Sequence, residues 1–251
     1  MTLRHGGRLP VNRTSCFVPL LALLASCAAL PARAQVEAVR TPLTRPAAQA
    51  QVMGSKYRAQ AKRAAAMGRR GKIPEALGLL RPVIAYCDGL IDAGYAIVSV
   101  NNEREYNAYV AESGHGAPVD WVDFACPSAY KTQAFLAIDR KDMVVARSAL
   151  DKAIRLAPYW ADPLAERGFL LNQLGKHQEA LDDYRHALAL VDRFQSNAYA
   201  RPIALRGIGY TQVELGDLDA AEQAYKDSLK AEPDNALALR ELDYISKQRK
   251  P

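Results

Sequence analysis

Fourteen residues, His115 to Ser128, hold His115, Asp120, Asp123, Cys126 and Ser128. These types can assemble a nucleophile: a thiol or hydroxyl, an imidazole to take its proton, and a carboxylate to orient the imidazole. The same residues also describe a polar loop whose Asp and Ser side chains cap the next helix. The spacing favours the loop. No G-x-S-x-G, no H-E-x-x-H and no Gly-rich phosphate cradle occurs anywhere in the chain. His177 and His186 are read on opposite helices of one helix pair, with no Cys nearby and no metal-ligand spacing. No catalytic residue, metal ligand or cofactor is therefore assigned. An enzyme with a site in residues 91–126 is kept as the lesser reading.

Cysteine chemistry depends on the N-terminus. Arg4, Arg8 and Arg13 precede "FVPLLALLASCAAL" (17–30), an apolar run too short to span a bilayer. Ala32 and Ala34 then bracket Arg33. This order reads as a secretory signal peptide over 1–34, cut after Ala34. The run "LASC" (24–27) offers a second cut, which would leave Cys27 lipidated as the mature N-terminus. If the first cut is used, Cys16 and Cys27 leave, and Cys87 and Cys126 remain as an even pair in an oxidising compartment. They form either a disulfide or two buried thiols.

Charge points the same way. The chain of 251 residues has a formal charge of +6, and 34 residues of signal carry four Arg and no acid. Residues 35–75 hold nine Lys or Arg against two Glu, whereas 76–251 hold 20 basic and 25 acidic residues. A basic arm on a mildly acidic body suits an anionic envelope surface or a solvated helix face. It does not suit nucleic acid, for which no motif is present.

The body repeats itself. Frames starting at Pro127, Ala161 and Pro202 place Ala134, Gly168 and Gly209 at position 8, and Ala146, Ala180 and Ala221 at position 20. Position 24 is Leu150, Tyr184 and Tyr225, and Gly175 and Gly216 fall at position 15. Small residues at 8 and 20 let two helices cross closely, a large one at 24 fills the space beside them, and Gly at 15 turns the chain. At these residues the sequence resembles the tetratricopeptide repeat, which has a 34-residue period. Departures are the absence of Trp at position 4, Asp192 in place of a proline, and seven extra residues between the second and third units. The seven correspond to about two helical turns, so longer flanking helices are expected there. Asp162-Pro163 reads as an N-cap followed by the first helical residue.

The predicted fold is all-α, a right-handed α-α solenoid of tetratricopeptide repeats. Three repeats and a C-terminal capping helix occupy 127–251, with Leu239, Leu242 and Ile245 on the cap's inner face. Residues 57–126 form a degenerate repeat region in which Ala64, Gly71, Ala76 and Leu80 keep the frame and Pro82 is expected to kink or restart a helix. Within it, 101–113 is expected to be helical and 114–123 a loop, and 91–126 is long enough for a diverged helix pair. Residues 35–56 are expected to be a flexible linker.

In this family the first helices line a concave groove through positions 2, 5, 9, 12 and 13. The resemblance thus assigns the groove to Lys131, Phe135 and Ile138, to Phe169, Asn172 and Gln173, and to Arg206, Tyr210, Val213 and Glu214. Position 9 is aromatic in each unit, and Asp183 is placed on the second helix, away from the groove. The Lys and Asn clamp with which some family members hold a C-terminal carboxylate is absent: Phe135 and Glu166 replace its Asn residues, and Ile203 and Gly207 its later bases. Resemblance to small exported bacterial tetratricopeptide-repeat proteins implies an adaptor or scaffold in the cell envelope, binding a protein or peptide. A lipid-anchored assembly factor, held through Cys27, is the alternative. The groove is either open or filled by the chain's own N-terminal segment or its 91–126 stretch.

Overall fold

The computed structural model describes residues 52–113 and 119–249. The segments expected to be signal peptide and most of the linker, with Cys16, Cys27 and His115, lie outside the described residues. Ten α-helices are present among those described: α1 Arg58–Arg69, α2 Ile73–Asp92, α3 Glu103–Ser113, α4 Ala125–Asp139, α5 Met143–Leu156, α6 Ala161–Gln173, α7 His177–Arg193, α8 Arg201–Glu214, α9 Leu218–Leu229 and α10 Ala236–Gln248. Connections of three residues join α4 to α5, α6 to α7 and α8 to α9, which makes each pair an antiparallel hairpin.

Steric fit at the repeat positions explains the stacking. A Cβ on Gly168 would lie 2.9 Å from the Tyr184 ring, one on Gly209 2.9 Å from Tyr225, and one on Gly207 only 2.2 Å from Tyr184. Tyr184 thus fills the gap between its own hairpin and the next. Gly71, Gly175 and Gly216 turn their hairpins with φ of 71°, 71° and 83°. The corresponding residue between α4 and α5 is Lys141, the one non-Gly residue with positive φ among those described, at 59°. Asp142, Asp217 and Asn235 cap α5, α9 and α10 by accepting the N–H of Val145, Ala220 and Ala238.

Several expectations need correction. Pro82 does not interrupt α2, which runs on to Asp92. Pro82 and Gly78, whose carbonyl loses its partner, both lie on the exposed face, where water replaces the missing hydrogen bond. The supposed linker ends earlier than residue 56: Met53 pairs with Val122, its carbonyl accepts the Asp123 N–H, and Ser55–Tyr57 form a 3₁₀ turn. Among the described residues, 91–126 do not form a helix pair. Two short parallel strands, β1 Ile97–Val98 and β2 Asp120–Trp121, flank α3, so part of the expected loop is strand. In the cap, Leu239 is exposed, and Ala238 joins Ile245 in the core with Leu242 partly buried.

The insert 97–122 and the extra residues between the second and third hairpins hold each other. Helix α7 is long, as expected, but Phe194 leaves it in extended conformation and Gln195–Ala200 form a 3₁₀ helix. Phe194 is buried with Tyr159, Val98 and Val100. Ser196 Oγ donates to Glu105 at 2.5 Å, and Asn197 bridges the Ala161 N–H and the Tyr159 carbonyl at 3.0 and 2.8 Å. Asn197 thereby does the capping expected of Asp162: α6 begins at Ala161, and Asp162 points elsewhere. A disulfide joins Cys87 on α2 to Cys126 on α4, so the first hairpin is covalently tied to the second.

Candidate partner-binding groove

Helices α4, α6 and α8 each carry one aromatic ring at the same place in the frame, and all three rings face solvent. Phe135, Phe169 and Tyr210 are 42%, 47% and 43% exposed. Large apolar rings left in water are the informative case, since burial of one is worth about 1.5–3 kcal/mol.

The remaining assigned residues divide. Gln173 is exposed and Glu214 half-exposed, with its carboxylate 3.9 Å from His177 Nε2. Lys131 faces the groove but is engaged: its Nζ lies 2.6 Å from Asp162 Oδ2 and 5.4 Å above the Trp160 ring. Arg206 pairs with Glu232 at 2.6 Å. Asn172 is turned inward, and Val213 and Ile138 are partly buried. Asn172 is buried, donates to Thr211 Oγ1 at 2.8 Å and bonds His177 Nδ1 at 3.0 Å. Val213 packs with Tyr225 and Ala221, and Ile138 packs against the first hairpins. The frame assigned all three by position alone, and a few tens of degrees of rotation about the helix axis turns such a position inward. Asp183 is likewise buried, in a fork of hydrogen bonds from Arg167 Nε and Nη2, both 2.7 Å.

Glu166, named above only as a replaced clamp residue, was left out of the assigned groove set. It lies one turn before Phe169 on α6, which puts the two on one face. Burial pushes its carboxyl above the usual range, opposed by Lys131 and helped by Asp162. The signal that could have found it is the same i, i+3 spacing that placed Phe169.

Beyond the column, on the α1 side, a cleft of about 430 Å³ is lined by Arg58, Lys62, Trp121, Asp123, Phe124 and Ser128, among others. Of the set that could have formed a nucleophile, Asp123 and Ser128 line it, and the described members are not assembled into one. Asp123 pairs with Arg58 and accepts the Ala125 N–H at 2.8 Å, Cys126 is in the disulfide, and Asp120 is exposed on β2. His177 and His186 share α7, on opposite faces, rather than standing on two helices. No group of three or more His, Cys, Asp or Glu with metal-site geometry occurs among the described residues.

Stacked helical hairpins with a concave column of first helices define an all-α repeat solenoid. Residues 161–232 match the family described as tetratricopeptide repeat. The chain is 28% identical over 120 residues to small glutamine-rich tetratricopeptide repeat-containing protein 2 of Mycosarcoma maydis, covering 48% of this chain and 32% of that protein. It thus spans about a third of the length of the curated relative it matches. Among solved structures, pilF of Pseudomonas aeruginosa has the same fold, with a TM-score of 0.56 at 16% identity, over 78% of this chain and 71% of that one. The first repeat domain of Spaghetti (RPAP3), bound to the HSP90 peptide SRMEEVD, matches at a TM-score of 0.46 and 24% identity, over 51% of this chain and 98% of that one. Residues 161–232 are thus tetratricopeptide repeat, and the described helices have an all-α solenoid fold.

Proposed function

We propose that the protein is an adaptor that holds an extended peptide or a helix of another protein in its concave groove. The observation that carries this is the solvent-facing column of Phe135, Phe169 and Tyr210. Rigid aromatic anchors with hydrogen-bonding neighbours such as Gln173 and Glu214 suit peptide recognition. We place it in the bacterial cell envelope. Support comes from the signal-like order of residues 1–34 and from the Cys87–Cys126 disulfide, which fits an oxidising compartment. Soluble export and anchoring through Cys27 both agree with these observations.

The test is affinity purification of the full chain and of a Phe135→Ala/Phe169→Ala variant, read by mass spectrometry, with circular dichroism to compare folding. Because both rings are exposed, the variant keeps its helical signal. Loss of a discrete partner only from the variant supports the reading. An unchanged partner set overturns it.

A further inference from the structure

The charges beside the aromatic column do not balance. Lys131 is neutralised by Asp162, and Arg206 by Glu232. Tyr199 also bonds to Asp162, so that carboxylate is doubly engaged. Glu166, on the same face as Phe169, makes no hydrogen bond or ion pair among the described residues, and its side chain remains partly exposed toward the groove. One hairpin further on, Tyr210 lies beside Glu214 and Glu241. Glu214 is hydrogen-bonded by Tyr210 and has the 3.9 Å approach of His177 as its nearest cation, and Glu241 makes no ion pair among the described residues. From α6 to α10 the column is therefore aromatic with surplus carboxylates. Toward α1, Arg58 is paired with Asp123, and Lys62 lines the cleft beside them.

We infer that the groove takes a basic partner segment, in which a Lys or Arg side chain pairs with Glu166 while flanking apolar side chains cover Phe135 and Phe169. This deepens the adaptor reading and rests on it. Charge complementarity carries the choice: Lys131 acts on Glu166 only at a distance while it is paired with Asp162, a desolvated carboxylate without a hydrogen-bonded cation is costly to hold, and an incoming ammonium or guanidinium supplies that contact. Aromatic faces on either side favour the same ligand, since a cation is drawn to a ring face within about 6 Å.

A phage-displayed random peptide library panned against the full chain tests the inference. Selected peptides are expected to carry Lys or Arg next to apolar residues. Fluorescence anisotropy then compares wild type, Glu166→Gln and Phe169→Ala. Glu166→Gln keeps shape and volume, and it is expected to weaken binding at least about tenfold, the scale of a partly buried charge pair. Alanine at the selected basic residue should weaken binding to the wild type equally, yet hardly affect binding to Glu166→Gln. Peptides that depend on Phe169 but are neutral or acidic, or that ignore Glu166→Gln, overturn the basic-partner inference and leave the adaptor reading standing. A library that yields no binder contradicts both. A synthetic peptide of residues 35–51, which carries Arg40 and Arg45, is measured alongside. If it outcompetes every selected peptide, the occupant is this chain's own segment and the partner proposal falls.

Discussion

Ser196 donates a 2.5 Å hydrogen bond to the buried carboxylate of Glu105, 91 residues earlier in the chain. Glu105 also accepts from the Asn101 N–H and from the side chains of Asn101 and Asn102. Two irregular stretches that each break the repeat thus satisfy one another. The neighbouring Asn197 completes the joint and is fully buried. Asn197→Ala leaves the Ala161 N–H and the Tyr159 carbonyl unpaired, so a loss of about 2–4 kcal/mol is expected in urea unfolding, given about 1–3 kcal/mol for each buried orphan. A loss below about 0.5 kcal/mol would show that the seam is not a structural joint.

Two glycines separate close approach from helix propensity. Gly207→Ala drives a methyl into the Tyr184 ring, which lies 2.2 Å from the ideal Cβ position; it should cost about 1–3 kcal/mol. Gly89 sits exposed in α2 with nothing within 4 Å of the same position. Gly89→Ala should stabilise by about 0.5–1 kcal/mol. Thermal unfolding of both variants checks the opposite signs.

How far the fold could be read in advance follows from how local each determinant is. Positions 8, 20 and 24 are legible because one small residue facing one large one is a local steric requirement repeated at fixed spacing. Lys141 was less so: the hairpin imposes φ of 59° there although no glycine marks it. Strands of two residues have no periodicity to detect, and the Glu105–Ser196 contact leaves no trace in either neighbourhood. The aromatic column was legible from position alone. Asn172 is buried because the same rule ignores which way neighbouring hairpins turn a side chain.

Lys141→Gly should therefore stabilise the protein by about 1 kcal/mol, because a left-handed backbone costs a residue with a Cβ about that much. Calorimetric comparison with wild type is the check, and a destabilised variant would contradict the assigned backbone.

Reduction of the Cys87–Cys126 bond frees a long loop in the unfolded chain. Chain-entropy arguments give about 2–4 kcal/mol for such a loop. A matching fall in the unfolding midpoint with a phosphine reductant, absent in a Cys87→Ser/Cys126→Ser variant, is expected. An unchanged midpoint would contradict the bond.

The Glu166 carboxyl is held above its ordinary range by burial, so the folded chain binds that proton more tightly than the unfolded chain does. Its stabilising contribution is complete below the unfolded value, near pH 4.3 for an ordinary Glu, and is lost as pH rises through the folded value. Glu166→Gln should thus be more stable than wild type at pH 7, with the difference closing below about pH 4. A variant less stable at pH 7 would mean that the carboxylate already has its partner within the chain.

The groove itself is tested most directly by a photo-crosslinking amino acid placed at Phe169 in living cells, with Arg185, exposed on α7, as the control position. The account predicts a discrete adduct with another protein from position 169 and none from 185. Crosslinks only within the chain, or none from either position, would contradict it.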